Sequence, residues 1–490
     1  MPAKIPFLPP SETLQQRWKE ASSSPRVSAQ IYVFALLITV GLLHHYVFAP
    51  ASRRRMYGGS RKPHTYGSAS AIADPGAKDE TLGQIDGIYI YPIKSCAGVS
   101  VDHAQLTTQG FDLDRRWMVV AKSKKDPTKL DKISLREEPR LTLIQPQIDH
   151  TDNVLRLKLS DQASKFGVSS TIGETETVLR PTPQQLQSWR LLPKVEMYGD
   201  FADGRVAQLS PNMLDKRGQL PPSEWISEFL GYPVLLIHFD TTSEVARDAF
   251  PIFKPPSDTS HWAAEDREEL ERKRGIEFQD EYPLLVATKE SLLEVQAQLQ
   301  DALEGAASEA GGDGRGGRTI TELKSDLWTK NVVSMQRFRP NIIVRSAFHE
   351  HGFGPFSEDS WERMWILPPA NQASEPTRAK AMLQLVARCQ RCLLTAVDPV
   401  TAEKDPSVPL KLLNRSRMRI KKPADIPGGN GRQGPCFGMY AVPLPTASQA
   451  SEKVTSQETS AYGSLQVGDS VRVRWRPYSS DDEPRGQQHD

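Results

Sequence analysis

Residues 85–91, Ile-Asp-Gly-Ile-Tyr-Ile-Tyr, form an alternating β pattern that Pro92 cuts short. The same kind of short run recurs at 116–120, 141–144 and 154–157, each pair separated by turn-forming residues. Strands this short and this closely spaced predict a sheet-dominated first unit. A second β-rich unit is predicted from residue 341 onward, with strands at 342–344, 393–397, 439–442 and 470–474. Its closely spaced strands favour a curled or barrel-like β domain. Helices enter between the two. Residues 223–230 place apolar side chains at helical spacing and stop at Gly231, and 289–303 continue in the same way to a glycine-rich tract. The fold class expected is therefore α+β and β-rich.

One segment does not suit a soluble domain. Residues 31–49, IYVFALLITVGLLHHYVFA, carry no charge and are about long enough to cross a bilayer as a helix. Arg53, Arg54 and Arg55 follow at once, and the positive-inside rule then puts everything after the span on the cytosolic side. The leading segment is long and weakly basic, which reads as a retained single-pass anchor and not as a cleaved signal. The expected organisation is a flank at 1–30, a transmembrane anchor at 31–49, a flexible linker at 50–82, β-rich domains at 83–240 and 241–475, and a disordered tail at 476–490. Within the second domain, 305–318 and 445–464 read as disordered insertions.

Composition excludes more than it assigns. The 61 basic and 60 acidic residues balance to +1, which argues against a nucleic-acid-binding surface. Four cysteines, Cys96, Cys389, Cys392 and Cys436, are too few to staple 490 residues. A reducing compartment is expected, with thiols free or bound to metal.

Cys389 and Cys392 stand two residues apart and run into an apolar stretch read as a strand. A structural zinc site wants a second such pair, a thioredoxin-like pair wants a following helix, and an iron–sulfur cluster wants four clustered thiols. A single thiolate completing the coordination of a metal held mostly by its own organic cofactor fits better. Such a cofactor needs an anion cradle. Lys94 and Ser95 follow the first strand among small residues, Arg115 sits in Asp-Arg-Arg-Trp, and Arg339 in Phe-Arg-Pro-Asn. Each of these bases, taken alone, is better read as exposed or ion-paired, and it is their joint occurrence that points to a cradle.

Seven stretches in order, IYIYPIKSCAGV, FDLDRRWMVV, SLREEPRL, RFRPNIIV, EDSWERM, RCQRCLLTAVDP and CFGMY, resemble the MOSC-domain family over about residues 83–475. The match skips insertions near 254–275 and 305–318 and the loop after Pro445. With the N-terminal apolar span, the resemblance is greatest to the mitochondrial amidoxime-reducing components. It implies an N-terminal MOSC-type β-barrel subdomain, a C-terminal MOSC β-barrel domain, an N-terminal transmembrane helix and a mitochondrial outer membrane address. It also implies molybdenum cofactor, a phosphorylated pyranopterin whose dithiolene holds the metal.

Carried over by the same motifs, Cys392 is the metal ligand and catalytic residue. Lys94, Ser95, Arg115, Arg339, Asn341, Arg391 and Tyr440 contact the cofactor, and Cys389 has no metal role. Asp280 matches a family aspartate near the pocket, but Glu281 and Tyr282 stand where the family has small residues. The implied activity is a molybdenum-dependent oxidoreductase that reduces N-hydroxylated substrates such as amidoximes and hydroxylamines, with nitrite as a variant. Its electrons would come from cytochrome b5 and NADH-cytochrome b5 reductase. The alternative is a cofactor-binding or sulfur-transfer carrier without turnover. MOSC domains also accompany cysteine desulfurases, but the chain has no convincing pyridoxal-phosphate lysine segment.

Overall fold

A computed structural model describes residues 80–475, apart from 125, 168–171, 198–199, 215–217, 244–246, 249–274, 311–319, 321, 348–352, 370–377, 422–432 and 447–461. Two β-barrels dominate it. In the larger, neighbouring strands run Leu284–Thr288, Ile342–Ser346, Glu80–Ile90, Ser470–Trp475, Trp361–Leu367, Ala381–Gln390 and Gln433–Leu444, and the last pairs back to the first. The smaller closes through Leu191–Met197, Asp200–Val206, Leu235–Phe239, Trp117–Lys122 and Leu130–Lys132. Closure leaves no free sheet edge in either ring, which is how a β-rich chain of this length avoids edge pairing.

The strand grouped by sequence with the first unit is a stave of the second. Glu80–Ile90 pairs antiparallel with Ile342–Ser346 on one side and Ser470–Trp475 on the other. Ile85 and Ile88 point into the barrel core, beside Val344, Met364, Leu383, Met439 and Val473. Gly83 sits where this strand bends: an added Cβ would lie 2.4 Å from the Arg345 carbonyl oxygen. Leu284–Thr288 and Ile342–Ser346 are parallel, so the chain must cross over between them. The helix Lys289–Ala310 begins that crossover, packing Val295, Leu299 and Leu303 against Phe338 and Leu412.

The helix expected at 223–230 forms as Pro222–Leu230. It buries Trp225, Ile226, Phe229 and Leu230 and ends where Gly231 takes φ 75°, the left-handed conformation that closes a helix without a Cβ penalty. Two strand expectations differ. Residues 141–144 enter a 3-10 turn, Pro139–Leu143, because Pro139 fixes φ at its start and Glu138 caps it by accepting from Arg140 N. Residues 393–397 are also not a strand: the strand Ala381–Gln390 ends before them, and Leu393–Ala396 is a 3-10 turn with Cys392 at its N-cap.

The fold class is corrected in one part. Among the described residues no helix is long and apolar enough to cross a membrane, so the expected transmembrane helix and the membrane address built on it find no support here. The apolar run that prompted it, 31–49, lies outside the described residues, as do the flank 1–30, nearly all of the linker 50–82, most of the insertions near 254–275, 305–318 and 445–464, and the tail 476–490.

Candidate functional site

The turn after the first strand places the first cations. Pro92 ends the strand, the Lys94 amide donates to the Trp117 carbonyl at 2.8 Å, and Ser95 takes φ 72°. Arg115 has φ 53° and is anchored by its amide to the Tyr91 carbonyl at 2.7 Å; Arg339 has φ 54° and caps the 3-10 turn Met335–Phe338. Three non-glycine residues in the left-handed region, all facing one pocket, mark a backbone held in shape by its surroundings and not by local preference.

That pocket is open to solvent and spans about 630 Å³, the solvent at its mouth included. Of the sequence-predicted residues, Lys94, Ser95, Arg115, Asp280, Arg339, Asn341, Arg391 and Tyr440 all line it. Cys392 does not; it is partly exposed and sits in the chain between the lining residues Arg391 and Leu394. Cys389, read from sequence as uninvolved, does line it.

Each side chain is fixed by a second. Tyr91 is buried with the guanidinium of Arg339 4.3 Å from its ring centroid and that of Arg115 at 4.8 Å, a double cation–π contact. Asp114, fully buried, forms an ion pair with Arg115 and accepts from Tyr91 N at 2.8 Å and Asn341 Nδ2 at 3.0 Å. Asn341 in turn accepts from Arg115 at 3.1 Å and from Leu285 N at 3.1 Å, tying the cradle to the barrel strand Leu284–Thr288. Arg339 donates to the Cys96 carbonyl at 2.7 Å. Arg391 donates to Cys389 Sγ and to the Phe338 carbonyl, both at 2.8 Å.

Asp280 arrives on a segment pinned from three directions. Gln279 donates to the Asp114 carbonyl at 3.0 Å, Glu277 takes a two-point bond from Arg116 at 2.9 and 3.0 Å, and Phe278 packs into the small barrel against Phe239. Asp280 there ion-pairs with Lys94, whose ammonium also donates to the Phe278 carbonyl at 2.8 Å.

Burial sets the electrostatics. It pulls Lys94 down to about 8 against the opposing pull of Asp280, and pulls Arg339 down to about 10. Burial raises the Cys389 thiol and pushes Tyr440 well above the usual phenol range. Asp280 is held far below the ordinary carboxylate range because the cations Lys94, Arg115 and Arg136 outweigh its burial.

A phosphorylated, anionic cofactor fits this donor set. Four cations line the pocket, Lys94, Arg115, Arg339 and Arg391, and only one carboxylate, Asp280, lines it with them. Arg339 Nη2, Arg391 Nε and Tyr282 Oη are buried and have no hydrogen-bond partner among the described residues. Unmet donors beside excess positive charge call for an acceptor-rich anion. Sequence reasoning missed Cys389 and Ser134 as wall residues; Ser134 opens the SLREEPRL stretch, the one signal that marked it.

Residues 82–198 match the family described as the MOSC N-terminal beta barrel domain, and 273–472 match the MOSC domain. The chain is 23% identical to human (Homo sapiens) mitochondrial amidoxime-reducing component 1, over 74% of this chain and 79% of that protein. It is 25% identical to mitochondrial amidoxime reducing component 2 of Bos taurus, over 80% and 83% respectively. Molybdenum cofactor sulfurase of Bos taurus is 26% identical over 69% of this chain, which spans 29% of that protein.

Proposed function

This chain is a MOSC-domain protein resembling the mitochondrial amidoxime-reducing components, and from that premise we propose that it is a molybdenum cofactor-dependent reductase of N-hydroxylated compounds. The observation that carries the reading is the cationic pocket with its unmet donors on Arg339 and Arg391. Lys94, Arg115 and Arg339 would hold the cofactor phosphate by charge-assisted bonds, and Ser95 and Asn341 would orient it. Arg391 and Tyr440 wall the side nearest the cysteine pair, and Cys392 would supply the thiolate ligand. When bound, the cofactor supplies the two-electron redox chemistry that removes oxygen from nitrogen.

The protein's own part is positional. Tyr282 and Tyr440, ring centroids 4.9 Å apart, form an aromatic wall that a planar amidoxime can lie against while bulk water is displaced. The reductant is cytochrome b5, reduced by its NADH-dependent reductase.

Expression in a host that makes the cofactor, with molybdenum measured by mass spectrometry, tests the ligand. Near one metal per chain is expected, and its loss in Cys392→Ser. Retention of molybdenum and of benzamidoxime reduction in that variant would falsify the assignment. Reconstitution with NADH, cytochrome b5 and its reductase separates a reductase from a carrier, because a carrier binds the cofactor without turnover.

A further inference from the structure

The stretch 134–141 belongs to the first β-rich unit, yet it ends at the cysteine pair. Ser134 walls the pocket, and two residues on Arg136 reaches Cys392, its Nη1 3.9 Å from Sγ. The backbone that carries it is braced from both sides. Ser134 N and Oγ donate to Glu137 Oε2 at 2.9 and 3.0 Å, Glu138 N donates to the Ser134 carbonyl at 2.9 Å, and Lys404 donates to the Arg136 carbonyl at 2.5 Å. The Thr142 hydroxyl donates to the Pro399 carbonyl at 3.1 Å, so this segment and the one after Cys392 are joined at two points.

Two more basic residues stand near Cys392 besides Arg136. Arg391 is its neighbour in the chain, and Lys404 stands behind Arg136. The carboxylates on neighbouring segments are Asp280, which ion-pairs with Lys94 and also interacts with Arg136, Glu137, which accepts from Ser134 and keeps its charge, and Glu281, which acts on Cys389 and Tyr440. Cys392 is also the one cysteine of four that is not buried. Arg136 is itself exposed, so a solute that reaches this sulfur from solvent meets the guanidinium beside it.

We propose that Arg136 is a specificity-determining residue: it recognises an anionic oxygen on molecules approaching Cys392, so the site prefers oxyanion- or carboxylate-bearing substrates to neutral ones of the same size. This deepens the reductase reading and rests on it for where substrate arrives. A planar fork of N–H donors suits a two-oxygen group better than a point charge does, and a single guanidinium leaves neutral substrates admissible at lower affinity.

Two alkylating agents of nearly equal size, iodoacetate and iodoacetamide, separate charge recognition from thiol reactivity. A neighbouring cation that makes the thiol more reactive speeds both alike, and only the anion is also drawn in. Their rates on Cys392 are measured by peptide mass spectrometry in the full chain without cofactor, at low ionic strength, with Cys392→Ser as blank. The iodoacetate-to-iodoacetamide ratio is expected to fall about three- to fivefold in Arg136→Gln, the effect of one unit charge at this distance in water-like surroundings. It should fall less in Arg136→Lys, which keeps the charge but loses the fork, and shrink in wild type as salt is added. An unchanged ratio in Arg136→Gln overturns the proposal, as does an equal fall in Arg136→Lys. The assay needs neither molybdenum nor turnover, so its failure is distinct from a failure of the reductase reading.

Discussion

Arg391 donates through Nη1 to Cys389 Sγ at 2.8 Å, so the residue immediately before Cys392 is oriented by the other thiol of the pair. The same guanidinium bonds the Phe338 carbonyl and leaves Nε unmet at the pocket. The two cysteines thus divide the work: one holds a cation in place, and the other stands at the partly exposed edge.

Replacing Cys389 tests that division. Cys389→Ala leaves a buried guanidinium short of an acceptor and is expected to cost about 1–3 kcal/mol of stability. Cys389→Ser keeps an acceptor of shorter reach and should recover part of that loss. Thermal unfolding of both variants checks the order. Molybdenum content should fall in Cys389→Ala and be largely retained in Cys389→Ser, whereas Cys392→Ser loses it outright.

Lys94 gives two pH slopes of opposite sign. Its folded value of about 8 lies below the ordinary 10.5, so the unfolded chain binds more protons between the two and stability of the cofactor-free protein rises with pH over that window. The ammonium charge that would hold a phosphate is complete below about 8 and disappears above it, so anion binding falls over the same range. Thermal shifts produced by added pyrophosphate, compared at pH 7 and pH 9 by scanning fluorimetry, should be larger at the lower pH. Lys94→Met should flatten both slopes.

How much of this was legible in the sequence depends on how local each feature is. The helix ending at Gly231 was readable because its periodicity and its stop lie within ten residues. The run after Cys392 was misread: Leu-Leu-Thr-Ala-Val has the composition of a strand, but the barrel stave is already complete at Gln390, and the chain turns there. That Glu80–Ile90 joins the larger barrel was not readable at all, since its partners lie beyond residue 341 and near the end of the described chain. Of the residues that line the pocket, Lys94, Ser95, Arg115 and Arg339 stood out by their local settings, whereas Asn341, Arg391 and Tyr440 were marked only by motif order. Arg136 and Cys389 escaped because a reach across two units, or a thiol used as an acceptor, leaves no spacing signature.

Gly438 tests the barrel wall beside Tyr440. It has φ 76°, and an added Cβ would lie 2.8 Å from the Val286 carbonyl oxygen, in the strand paired to it. Gly438→Ala therefore meets both backbone strain and a clash with main chain that cannot rotate away, with an expected cost of about 2 kcal/mol or more. A lowered denaturation midpoint with an unchanged m-value is the result that supports a local effect in an intact barrel.

Ser95 separates strain from function. Its φ of 72° is one that a serine adopts at a cost and a glycine adopts freely. Ser95→Gly should relieve about 1 kcal/mol of that strain, with part returned through the greater freedom of the unfolded chain. The substitution also removes a hydroxyl from the pocket wall between Lys94 and Cys96, where the proposed function would have the cofactor phosphate bind. The expected outcome is a melting temperature equal to or above wild type together with reduced molybdenum content after expression in a cofactor-competent host. A variant that loses both would mean that Ser95 braces the turn and not the cofactor. One that keeps its molybdenum would take the hydroxyl out of the binding set.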